Sequence, residues 1–192
     1  YDRIFKSDII TDLLKVIACR VEIKAKHNTS KDLNSFDINN LRWDKIIICT
    51  DADVDGFQIR TLVLTMIYRL VPTPIEEHKV FIAESPLYEI TAGKGKNEKT
   101  YFAYTEKEKA DITAKIKGDY HIQRSKGLGE NEPEMMWQTT MNPETRRLIM
   151  VMPEDGKKTS EIFDMLLGDN LTGRKNHIET EGYKYIDLTE LS

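Results

Sequence analysis

The chain has 192 residues, 40% of them hydrophobic and 31% charged, with a formal net charge of −4. That length supports one substantial core or two small ones, and the composition is that of an ordinary globular protein. The acidic balance excludes nucleic-acid binding by bulk charge, so any DNA contact has to come from a local patch or a site shared with a partner; no apolar run approaches membrane-spanning length and the first residues do not read as a signal peptide.

In chain order, "YDRIFKSDIITDLL" lacks an initiator Met, which suggests a piece of something longer. Ser7 is placed to cap a first helix, with Asp8 complementing its dipole and Ile10, Leu13, Leu14 and Ile17 forming the apolar stripe. The stretch Lys24–Asn40 is polar and turn-rich and reads as a long surface loop. "KIIICT", Lys45–Thr50, is a short β-branched run that predicts a strand buried on both faces, with Cys49 packed inside it as a small hydrophobe. After Gly56 the period becomes helical through Ile59, Leu62, Val63, Met66, Ile67 and Leu70, until Pro72 stops it. "HKVFIAES" is a second buried strand, so strand, helix and strand predict a parallel sheet with ligands at its carboxyl edge.

Further on, "PLYEI" and "KTYFAYT" flank "TAGKGKNEK", the pattern of a hairpin with a mobile loop. "EKEKADITAKI" predicts a modest helix whose charge run is a solvated face, and "YHIQRS" another strand. A glycine-rich turn, "KGLGE", precedes a helix from Pro133, in which Trp137, Met135, Met136 and Met141 read as core. "SEIFDMLLGDNLTGRKNHIE" predicts two short helices with Gly168 ending the first, and "GYKYIDLTELS" a loosely held tail. Cys19 and Cys49 show no disulfide or metal spacing, which fits a reducing cytoplasm, and His27, His78, His121 and His177 show no metal spacing either.

The residues that point to chemistry are in "DADVDG". Asp51, Asp53 and Asp55 crowd three acceptor-only groups at a strand's end, which calls for a cation or for protons. A calcium EF-hand needs a Glu at the position held by Leu62, and its loop follows a helix, so that reading fails. A solvated acidic turn is the bland alternative. A phosphotransferase of the haloacid dehalogenase type is another: its Asp-x-Asp-x-Thr/Val pattern fits Asp51, as nucleophile, and Asp53, but not Asp55. A magnesium site for phosphodiester chemistry is the third, because magnesium takes few carboxylates and fills its octahedron with water and phosphate oxygens.

Here "IIICTDADVDGFQIRTLVLTMIYR" resembles the core of the Toprim domain in the B subunits of bacterial type IIA topoisomerases, DNA gyrase and topoisomerase IV. "VFIAESPLYEI", "QRSKGLGENEPEMMWQTTMNPETRRL" and "FDMLLGDNLTGRKNHIE" resemble that family's later blocks, in its order, so the likeness covers most of Leu41 to Glu179. It implies an α/β, Toprim-like (Rossmann-like) parallel sheet flanked by helices, with a small β-rich insertion and C-terminal helices. It divides the chain into a lead-in over 1–44, the Toprim core with its insertion over 45–152, and C-terminal helices and tail over 153–192. It also implies a bacterial cytoplasmic enzyme that cuts and reseals double-stranded DNA with Mg2+, in a heterotetramer with the topoisomerase A subunit and away from membranes. Asp51 and Asp53 would carry most of the metal binding, with Asp55 assisting; the alternative within the family is a non-catalytic scaffold that docks an A subunit without using its metal site. The family's Glu-Gly-Asp-Ser-Ala motif, its ATP-binding domain and the A subunit's Arg-Tyr nucleophile do not occur in these residues, so the chain alone is expected to be inactive. Phe57 and Gln58 replace the family's usual Ser-His, Ser125 a common Tyr, and Asn131 a common Met.

Arg124, Lys126 and the backbone at Gly127 and Gly129 form a basic, glycine-rich turn, which the residues alone favour as an ordinary strand-to-helix turn with two charges and which the resemblance implies is a DNA or A-subunit contact. Glu130 either holds that turn or touches a ligand, and Arg60, one turn into the helix, either pairs with an aspartate or meets a phosphate.

Overall fold

The structure, a computed structural model, describes residues 4–17, 21–22, 36–125, 127–153 and 156–188. Cys19, His27, most of the expected loop before Asn40, Lys126 and the last four residues lie outside these.

The elements follow the apolar periods closely. Helix α1 is Asp8–Ile17, with Leu14 and Ile17 buried and Asp8 and Lys15 at the ends that suit their charge. Strand β1 is Ile46–Ile48. Helix α2, Val54–Leu70, begins inside the acidic turn rather than after Gly56, so Asp55 sits in its first turn. Helix α3, Thr73–Glu76, precedes strand β2, Val80–Ala83. The expected hairpin is β3, Tyr88–Ala92, and β4, Lys99–Ala103. Its loop turns through Gly93 at φ 89° and Gly95 at φ 59°, backbone that L side chains rarely adopt. Helix α4 is Glu106–Thr113 and strand β5 Tyr120–Arg124. Helix α5, Pro133–Met136, runs into a π turn over Trp137–Met141, and β6 is Leu148–Met150. Helices α6, Gly156–Leu167, and α7, Leu171–Glu181, follow, and the first part of the expected loose tail forms a 3-10 stretch, Gly182–Leu188.

The chain divides into two compact units, one of Tyr1–Asp44, Leu64–Lys79 and Val151–Ser192, the other of Lys45–Val63 and Val80–Met150. In the first, Leu14, Ile17, Val21, Ile67, Leu70 and Ile75 are buried. Glu22 ties it together: its carboxylate accepts from the amide and the hydroxyl of Thr73, both at 2.8 Å. The Tyr68 and Phe163 rings stack at 5.0 Å between centroids, and Arg69 pairs with Asp164. Gly168 does end α6, as expected: a Cβ there would stand 2.3 Å from the Asp164 carbonyl oxygen. Asn170 caps α7 by accepting from the Gly173 amide at 2.9 Å.

The second unit holds two three-stranded sheets. Sheet A has the order β1-β2-β6. β1 and β2 pair in parallel, as the strand–helix–strand pattern requires, with Ile48 beside Ile82. β6 adds an antiparallel strand that the sequence reading does not contain. Because β1 is an edge, only Ile48 in it is buried, which corrects the expectation of a strand covered on both faces. Cys49 lies past the strand's end and is exposed, not core.

Sheet B has the order β4-β3-β5, all antiparallel. Ile90, at the centre of β3, is fully buried between Tyr101 and Ile122, whereas every residue of the edge strand β5 is exposed. Thr105 caps α4 through its hydroxyl oxygen, which accepts from the Glu108 amide at 3.1 Å. Glu108 reaches back to the Tyr104 amide at 2.9 Å and takes the Arg147 guanidinium at 2.8 Å, so the charge run is more than a solvated face. Met135 is core, but Trp137 and Met141 are exposed, contrary to expectation, because the π turn carries them off the buried face.

Candidate metal centre and glycine-rich turn

The acidic turn follows β1 directly, at the carboxyl end of the parallel pair. Its three aspartates do different work. Asp53 caps α2: its Oδ1 accepts from the Gly56 amide at 2.7 Å, and its carbonyl accepts from Phe57 at 3.0 Å. Asp55 is exposed in the first helical turn, where its charge suits the dipole. Asp51 is half-buried, and its Oδ1 accepts from the Leu128 amide at 2.7 Å. Gly56 makes this turn possible, since a Cβ there would stand 2.2 Å from the Asp51 carbonyl oxygen.

The Leu128 contact joins the two stretches that the sequence reading treats separately. A Cβ on Gly127 would lie 3.7 Å from Asp51 Oδ2, so the glycine-rich turn passes directly over that carboxylate. Leu128 itself carries no signal in a single sequence, because only its backbone is used. Gly129 faces open space, and Arg124 is exposed at the end of β5. Of the remaining candidates, Lys126 and the side chain of Glu130 lie outside what the structure describes.

Two of the departures from the family's pattern meet here. The Ser125 hydroxyl donates to Asn131 Oδ1 at 3.2 Å, and the Ser125 amide to the Leu87 carbonyl at 2.9 Å. Ser125 and Asn131 thus brace the two ends of the turn against each other.

Arg60 pairs with no aspartate among the described residues. Its guanidinium carbon lies 4.6 Å from the centre of the Phe57 ring, and burial holds its pKa below the ordinary arginine value. The Cys49 thiol pKa is raised, by desolvation first and by the Asp51 carboxylate second.

Among the described residues no three His, Cys, Asp or Glu side chains stand together as a ready-made metal cage. The donor set still fits a magnesium-type ion. Asp51 and Asp53 each commit one oxygen to an amide and keep a second, and magnesium is commonly held by one or two carboxylates plus waters and phosphate oxygens.

The Toprim domain model matches residues 8–85, and that of the DNA gyrase B subunit carboxyl terminus matches 117–179. The chain carries a Toprim domain and a gyrase B carboxyl-terminal domain, and it resembles type IIA topoisomerase B subunits. It is 49% identical to the DNA gyrase B subunit of Clostridium acetobutylicum over 80% of the chain and 24% of that protein. With the DNA gyrase B subunit of Thermotoga maritima it shares 39% over 97% of the chain and 27% of the relative. With the DNA topoisomerase 4 B subunit of Bacillus subtilis it shares 44% over 75% and 22%. The chain thus spans about a quarter of the length of the curated relatives it matches. The haloacid dehalogenase alternative gives way to these matches. No helix among the described residues is long and apolar enough to cross a membrane.

Proposed function

We propose that this chain is the metal-binding part of a type IIA topoisomerase B subunit, working on double-stranded DNA with an A subunit in the bacterial cytoplasm. The observation that carries the reading is that Asp51 and Asp53 are each fixed by a backbone amide with one oxygen left over. Mg2+ held there, with Asp55 assisting, would stabilise charge on the oxygens around a phosphorus being cut or resealed. The Leu128 amide keeps the Asp51 carboxylate in one orientation before any ligand arrives, and the Gly56 amide does the same for Asp53. Arg124 and Lys126 neutralise phosphates of the bound strand, while Gly127 and Gly129 let backbone approach it closely. Arg60 lends positive potential from the second turn of α2. These residues by themselves do not cleave DNA, since the nucleophilic tyrosine comes from the A subunit.

Calorimetry with MgCl2, with and without a short duplex, tests the reading. Binding should be weak without DNA, stronger with it, and lost in an Asp51→Asn/Asp53→Asn variant, whose amide oxygens still accept the backbone bonds. In the full B subunit assembled with its A subunit, the same variant should cut plasmid roughly a thousandfold more slowly or worse, as loss of metal ligands predicts. Magnesium affinity equal to wild type in that variant would remove the metal site from these residues.

A further inference from the structure

Sheet B and the end of α4 border an open cavity of about 460 Å³, apart from the acidic turn and unused by the reading above. Its lining has two parts. Ala92, Tyr101, Ile112 and Ile116 are apolar or aromatic, and Lys99, Lys115 and Lys117 are cationic. No Asp or Glu lines it, and none of these lysines has an ion-pair partner among the described residues. In a chain with 32 acidic and 28 basic side chains, three cations around one hollow with no carboxylate are a local reversal of charge.

The position of α4 does not explain the cluster. Lys115 and Lys117 follow the helix's carboxyl end, where cations complement the dipole. That end carries only about half an elementary charge, against three whole charges on the lysines. Lys99 moreover comes from β4, opposite Ala92 in the register, and not from the helix. The hollow is held open by the hairpin turn, where Gly93 is required: a Cβ would stand 2.6 Å from the Asn97 carbonyl oxygen.

We propose that this cavity binds a nucleotide unit, with the base against Tyr101 and the isoleucines and the phosphate among the lysines. The cavity is in the size range of small-ligand sites, its wall is shared about evenly between polar and apolar surface as a ligand with an aromatic ring and a phosphate requires, and a base stacks readily on an aromatic ring. The unit can come from a free nucleotide or from a nucleic-acid strand. Both present an aromatic ring and a phosphate at the same spacing.

The test is equilibrium binding to the 192-residue chain of four probes: AMP, ATP, an eight-residue oligothymidylate and inorganic phosphate. AMP or ATP binding identifies a free nucleotide as the source, and oligothymidylate alone identifies a strand. In either case Lys99→Ala/Lys115→Ala/Lys117→Ala should weaken binding about tenfold or more, as the loss of three ion pairs implies. Tyr101→Ala should weaken it severalfold, and the matching Lys→Arg triple variant should retain it. Lys6→Ala/Lys107→Ala/Lys175→Ala, with the same change of net charge at exposed positions elsewhere, should change it little. Thermal melting reports on folding, and Lys117→Ala alone serves if the triple variant unfolds. The proposal is overturned if no organic probe binds, if inorganic phosphate binds as tightly as the tightest organic probe, or if the two alanine triples behave alike.

Discussion

Sheets A and B belong to the same compact unit and have three strands each, but they treat charge in opposite ways. At sheet A the charged groups are carboxylates, and two of them are already bonded to the protein's own amides. At sheet B they are lysines lining a cavity with no ion-pair partner among the described residues. Stability at the first therefore rests on acceptor geometry, which an amide oxygen can imitate. At the second it rests on one cross-strand column centred on the fully buried Ile90, with the exposed Tyr101 and Ile122 on either side, and not on charge.

The largest effect should come from that column. Ile90→Ala should cost about 2–5 kcal/mol in urea denaturation, whereas Ile122→Ala, at a residue 37% exposed, should cost a small fraction of that. Equal losses would show that sheet B is held by its edge and not its centre. Next is Gly56→Ala, whose methyl meets Asp51 backbone at 2.2 Å and which should cost about 1–3 kcal/mol while displacing the acidic turn. Asp53→Ala removes a helix cap and should cost about 1 kcal/mol, while Asp53→Asn should be nearly neutral to stability yet still weaken magnesium binding. A metal effect without this separation would break the contrast between the sheets.

The smallest effect is on pH dependence. The Arg147 guanidinium first, and the Tyr104 amide second, hold the Glu108 carboxyl below its ordinary value of 4.5. A depressed folded pKa stabilises the fold above the unfolded value, and the stabilisation is lost as pH falls through the lower folded one. Arg147→Met should therefore lower stability slightly at neutral pH, with the difference from wild type shrinking away as pH falls below about 4.5, and the effect is small because the pair is substantially exposed.

What could be read from the sequence was local. Helical spacing located α1, α2, α6 and α7, and two apolar runs around a glycine-rich loop located the hairpin. The cap role of Asp53, though local, was not read, because the apolar helical period begins only after Gly56. What else escaped was set by distant partners or by position in a sheet. Asp51 meets Leu128 through backbone, so no side chain advertised the contact. "LIM" at β6 is too short to distinguish strand from helix by period, and Cys49 reads as core only if β1 is central. Trp137 and Met141 follow a core residue, Met135, at spacings that a π turn then shifts. The resemblance to a known family supplied the metal reading, which three aspartates alone left open.

The Asp51–Leu128 bond spans 77 residues of chain. Such a link forms only after a long loop has closed, so it belongs among the slow, non-local steps of folding. During synthesis, at about 5–20 residues per second, roughly 4–15 seconds separate the emergence of the acidic turn from that of the amide that completes it. For that interval Asp51 is an unbraced carboxylate on a half-built sheet. The candidate centre is therefore assembled late in the life of the nascent chain, although its first ligand is made early.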